Sequence, residues 1–205
     1  MTVKNNKRTV FGWAMYDWAN SAYSTTTVGA LMPAYFAAVV VGEDGWNFGG
    51  TNYLADEIWG YATGIVIFIF FLIMPIFGAM ADMSGSKMKF LKIFAYGGSV
   101  FATVMFFLTA GDVWLTLFLY LGAQFGFVGS LVFNDGLLRD ITTEDTIDQV
   151  STRGYALGYI GGGLQLIFAF VIAIVFVFLG RCSTFLIIWL INFSFFFSSF
   201  VFFLP

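Results

Sequence analysis

The chain contains no histidine and a single cysteine, Cys182, and only 10 % of its 205 residues are charged. Without histidine, the commonest general base, the usual zinc ligand and the usual switch near neutral pH are all missing. One cysteine cannot form an internal disulfide, and it says nothing of redox compartment. An intramembrane enzyme would need a nucleophile with its base, a metal set or an acid pair at matched depth. The residue types for the first two are nearly absent, so no catalytic site, metal or cofactor is expected. Net charge is −3 and no basic tract is present, which argues against a nucleic-acid partner.

What fills the space is apolar. Hydrophobic residues make up 60 % of the chain, 28 of its residues are Phe, and the mean hydropathy is +0.87. Soluble domains carry roughly 25 % charged residues. A chain of this length has no soluble core large enough to hide so much apolar surface, so the lipid bilayer is its solvent.

Segmentation by hydropathy predicts an all-α, polytopic membrane protein with six transmembrane helices in one domain, 1–205. The spans are placed at about 17–41, 58–80, 90–110, 113–133, 154–179 and 184–204. The second would reach about 34 Å as a helix, enough to cross with some tilt, with Pro75 kinking it near one end. Between the first two lies a Gly-rich acidic connection, 42–57. The polar stretch 134–153 is expected to be the longest connection, with a short surface helix starting after Thr142 or Thr143.

Charge tests this threading independently. The head, the 81–89 turn with its flank, and the 134–153 connection should share one side. They hold Lys4, Lys7, Arg8, Lys87, Lys89, Lys92, Arg139 and Arg153, against Arg181 alone on the other. By the positive-inside rule both termini are expected in the cytoplasm.

The first span opens with Tyr16-Asp17-Trp18-Ala19-Asn20-Ser21-Ala22-Tyr23. At 100° per residue, Asn20, Ser21 and Ser24 fall within about 60° of Asp17, and Tyr35 returns to the same direction. Polar and ionisable groups are costly in hydrocarbon, so the stripe should face other helices or a wet cavity. Asp17 alone would equally suit a helix end in the headgroup region. Gln124 and Gln165 are the other pathway candidates, although each also suits a plain helix–helix hydrogen bond. Glycines spaced by four recur in the fifth span (Gly154, Gly158, Gly162), the fourth (Gly122, Gly126) and the second (Gly60, Gly64). Such spacing lets helices approach closely. Gly161-Gly162-Gly163 weakens a helix by roughly 1 kcal/mol per residue and suggests a point that bends or is closely approached.

Four stretches of the chain resemble a known family. The segment Gly78-Ala79-Met80-Ala81-Asp82-Met83-Ser84-Gly85-Ser86-Lys87-Met88-Lys89 is similar to the loop between the second and third helices of the major facilitator superfamily, with Met83 and Ser86 where basic residues are frequent. Tyr16 to Tyr23 and Val150 to Gly163 resemble the vacuolar amino-acid effluxers within it, as does Phe133-Asn134 followed by Leu137-Leu138 and an acidic loop. The resemblance implies one six-helix half of a twelve-helix carrier that rocks around a midplane site. It implies a small solute, amino acids above all, and a second half from the same or another chain. It also implies that Asp82 latches the cytoplasmic face, with Arg139 and Arg153 as candidate partners, and Gly85 is expected at a positive φ. A bacterial inner membrane and a eukaryotic vacuolar or other endomembrane both fit. The rival expectation is a non-transporting membrane subunit or inactive fragment that needs a second half.

Overall fold

The computed structural model describes residues 4–83 and 85–178. The expected sixth span, 184–204, together with Arg181 and Cys182, lies outside them. Five long helices are described: α1 (Lys7–Val41), α2 (Ala55–Met83), α3 (Lys87–Val104, followed by a 3-10 turn at Met105–Phe107), α4 (Val113–Ile141) and α5 (Ile147–Phe178). All five carry windows long and apolar enough to cross a membrane. A two-stranded antiparallel hairpin, β1 (Trp46–Phe48) and β2 (Thr51–Tyr53), joins α1 to α2.

Several helix ends differ from expectation. α1 begins at Lys7 because the Asn6 side chain accepts hydrogen bonds from the Arg8 and Thr9 amides and caps it. Asp17 is therefore about 15 Å into a helix rather than at its mouth. α4 continues through Ile141 and α5 starts at Ile147, so the expected long connection shrinks to Thr142–Thr146 and holds no separate surface helix. A 29-residue helix is about 43 Å long, well beyond the hydrocarbon thickness. Its polar end, with Arg139 and Asp140, stays helical in water.

α1 changes winding after Tyr23. Ser24–Leu31 and Phe36–Val41 are π-helical, separated by one α turn that contains Pro33. Wider turns advance each residue by less than 100°, which alters the face that later residues present.

α4 packs on α2 and most extensively on α3, α1 packs along α5, and α1 also touches α4. The α3–α4 contact is built on glycine. Gly98 and Gly126 meet backbone to backbone, with the Phe101 ring over Gly122 and the Phe94 ring over Gly129. Gly60 and Gly64 of α2, in contrast, meet no described residue. α2 turns Phe68 and Phe71, 63 % and 74 % exposed, outward, as suits a lipid-facing helix.

The two ends of the bundle differ in charge. At one end the Asn5 backbone N–H donates to the Ile141 carbonyl at 2.7 Å, and its side chain bonds Thr143 and Thr146. Lys4, Lys7, Arg8, Lys87, Lys89, Arg139 and Arg153 gather there. At the other end the Gly111 N–H donates to the Val40 carbonyl at 2.9 Å. Glu43, Asp44, Asp56, Glu57 and Asp112 lie at that end, with no Lys or Arg among its described residues.

Candidate functional site

The polar residues of α1 lie in its seams with α5 and α4. On the α5 side, Gly154, Gly158, Gly161 and Gly162 each lie under an α1 side chain. Trp13 covers Gly154, Asp17 and Ser21 cover Gly158, Trp18 covers Gly161, and Thr25 covers Gly162. A methyl group at position 158 would stand 2.7 Å from both Asp17 Oδ2 and Ser21 Oγ, so the glycine makes room for those two polar groups. α5 runs unbroken through Gly161-Gly162-Gly163, and Gly163 meets no described residue. The observed role of this run is close approach at two positions; no interruption of the helix accompanies it.

On the α4 side, Trp13 Nε1 donates to the Asn134 carbonyl at 2.9 Å, and the Tyr16 and Ser130 hydroxyls are hydrogen-bonded. Farther along, the Tyr23 and Phe127 rings pack at 5.3 Å, and Gln124 Nε2 donates to the Tyr120 hydroxyl at 3.3 Å. Phe133, stacked between Phe90 and Phe94, fixes the α4 face that carries Asn134.

Asp17 and Asn20 are buried in this interior, at 9 % and 5 % exposure. Asn20 Nδ2, Asn134 Nδ2, Gln124 Oε1 and Gln165 Nε2 are buried without a hydrogen-bond partner among the described residues. Each such group costs about 1–3 kcal/mol if left dry. Water or a polar solute would satisfy them, whereas lipid cannot.

Asp135 is a site residue that the sequence reading did not single out. It is exposed, yet it lies within electrostatic reach of Asp17 and of Tyr155 on α5. A helical count would have found it, since eleven residues at 100° put Asp135 within about 20° of Gln124. Reading 134–153 as a connection broke that count.

The structure separates Tyr35 from the stripe. Beyond the first π-helical segment its hydroxyl donates to the Leu108 carbonyl at 3.1 Å, which fastens α1 to the end of α3. Ser24 is half-buried and spends its hydroxyl on the Ser21 carbonyl at 3.1 Å.

At the basic end, Gly85 has φ +54°, as expected for the tight turn. Gly78 lies in α2 with no described neighbour at its Cβ position. Arg139 and Arg153 are exposed. Lys87 carries the contact seen there: its Nζ reaches Asp140 Oδ2 at 2.9 Å and donates to the Gly136 carbonyl at 3.0 Å. The turn before α3 is thereby tied to the end of α4.

Five apolar helices around a partly polar interior define a multi-pass membrane protein. Residues 5–146 match the family described as "Vacuole effluxer Atg22 like", and the chain belongs to that family. It is also 36 % identical over 173 residues to the "Uncharacterized MFS-type transporter YxiO" of Bacillus subtilis (strain 168). That alignment covers 84 % of this chain and 38 % of the relative, so the chain spans well under half of the relative's length. No solved structure matches. The family resemblance read from Tyr16–Tyr23 and Gly78–Lys89 is borne out.

Proposed function

We propose that the chain is the amino-terminal six-helix half of a major-facilitator carrier, both termini cytoplasmic, that exports a small solute by alternating access. Amino acids are the favoured substrates. The observation that carries this reading is the α1 interior: a buried carboxylate and several unpaired amides enclosed by membrane-spanning helices. Family membership and the relative's printed name support it. In this reading Asp17, which has no hydrogen-bond or ion-pair partner among the described residues, meets the substrate ammonium. Asn20, Ser21, Gln124 and Gln165 line the path, and Ser24 borders it. Gly78, Asp82, Gly85 and Lys87 form the cytoplasmic gate with Arg139 and Arg153, and a second six-helix half completes the path. The glycines of α5 serve as the surface on which α1 shifts.

The test pairs the full chain with the carboxy-terminal half of the Bacillus relative in proteoliposomes and follows labelled amino acids. Saturable flux that needs both halves is expected, with a fall of at least tenfold in Asp17→Asn at equal abundance. Unsaturable conductance, or saturable flux untouched by Asp17→Asn, refutes the assignment. The second reading is a membrane subunit without transport of its own. Tight attachment to the second half with no flux would select it.

A further inference from the structure

The acidic end of the bundle carries a feature that the transport reading does not use. The hairpin between α1 and α2 is two-faced. Trp46 pairs with Tyr53 and Phe48 with Thr51 on one face, and Asn47 pairs with Asn52 on the other. Gly49 and Gly50, both at positive φ, make the two-residue turn, and Asn52 Nδ2 secures the base by donating to the Asp44 carbonyl at 2.8 Å. The aromatic face is not folded entirely into the protein. Trp46 and Tyr53 pack on the core, whereas Phe48 at the tip is 52 % exposed. Its ring stacks on Trp46 at 5.1 Å and meets the edge of Trp114 at 5.7 Å, with Trp46 and Trp114 at 5.3 Å.

Trp114 sets the depth. It is the second residue of the membrane-spanning helix α4 and is 62 % exposed. A Trp ring at this apolar end of a span suits the layer where hydrocarbon gives way to headgroups, and Phe48 packs against it. Neither the Trp46 nor the Trp114 indole N–H has a hydrogen-bond partner among the described residues, which leaves both for lipid carbonyl or phosphate oxygens. Indole rings favour this layer because the ring is apolar and the N–H is not.

We propose that the Trp46–Phe48–Trp114 cluster is a lipid-binding anchor, with the tip of the β1–β2 hairpin inserted into the bilayer interface at the acidic end of the bundle. The occupant is the headgroup layer itself. Among the described residues this end of the bundle holds no Lys or Arg and carries Glu43, Asp44, Asp56 and Glu57, so attachment is apolar and does not depend on anionic lipid. The anchor holds α1 and α2 in place while lipid contact continues from the outer surface of α4.

The test places one cysteine at a time, Phe48→Cys or Asn47→Cys, in the full chain carrying Cys182→Ser. Each is labelled with a fluorophore in vesicles of neutral phosphatidylcholine. Quenching is read with aqueous iodide and with a nitroxide on the upper acyl chain. At position 48, iodide quenching is expected to be several-fold weaker and nitroxide quenching several-fold stronger than at position 47. Equal iodide quenching at both positions overturns the proposal, because the tip then stands in water. Protection of position 48 from both quenchers also overturns it, because protein then covers the tip.

Discussion

Replacing Gly126 by Ala adds one methyl group at the tightest point between α3 and α4. That methyl would stand 2.5 Å from the Gly98 N and 2.7 Å from the Phe94 carbonyl oxygen, with Gly98 Cα in contact as well. These are backbone atoms, so no side-chain rotation relieves the clash. Ordinary carbon contacts lie near 3.5–4.0 Å, so the helices must part by about 1 Å. The contact continues one turn away in each direction, where Phe101 covers Gly122 and Phe94 covers Gly129. Parting at the centre opens both, and a gap of 0.5–1 Å forfeits roughly a quarter to a half of each dispersion contact. Between membrane helices that packing drives association, since lipid is as apolar as Leu. Overpacking of this kind costs about 1–3 kcal/mol, against a helix-propensity gain of about 1 kcal/mol. Gly163→Ala is the control, because its methyl meets nothing within 4 Å and only the propensity gain remains. The two variants should differ by about 2 kcal/mol, or about 4–8 °C in thermal midpoint. Thermal unfolding in one detergent, followed by tryptophan emission, measures it. Equal midpoints would mean that α3 and α4 do not meet at Gly98 and Gly126.

Gly158→Ala should leave the thermal midpoint within about 3 °C of the parent, because it meets side-chain ends rather than backbone. It should nonetheless displace Asp17 and lower flux in the paired-half assay; retained flux would detach Asp17 from the pathway. Lys87→Met removes an ion pair whose lysine is 11 % exposed and whose Asp140 is 50 % exposed. With solvent screening it should cost about 1 kcal/mol, seen as a lower midpoint that Asp140→Asn does not lower further. Asp112 lies outside the spans, and the Thr109 hydroxyl and amide that donate to it hold its carboxyl below the ordinary carboxylate range. Its stabilising effect is complete above that range and is lost as pH falls through the lowered value. Thr109→Val should return the carboxyl upward, as read by a carbon NMR titration; an unmoved titration would discount the hydroxyl.

Span interiors were legible because hydrophobicity reports lipid exposure directly. Span ends were not. Arg139, Asp140 and Arg153 are polar because water surrounds them, yet they remain helical, so polarity marks the edge of the membrane rather than the end of the helix. The hairpin was written in the alternation of Trp46-Asn47-Phe48 and Thr51-Asn52-Tyr53 around Gly49-Gly50. Reading the region only as acidic and glycine-rich hid it. Asp17, Asn20 and Ser21 share an interior because α1 is regular as far as Tyr23. Tyr35 leaves them because the winding changes, and no residue count anticipates that. Gly85 was readable from local turn geometry, whereas the Lys87–Asp140 pair joins segments whose proximity only the fold establishes.

The Asn5 contacts set an order of events at the ribosome. The groups that receive this residue belong to Ile141, Thr143 and Thr146. They are synthesised more than 130 residues later, so the start of the chain enters the bilayer with its fastening still unmade. The leading rod must wait in lipid, its carboxylate unsheltered, until the rods that flank it have been threaded. Completion of the 141–146 bend supplies the groups that fasten Asn5, whereas the α5 glycines that receive Trp13, Asp17 and Ser21 are made only afterwards.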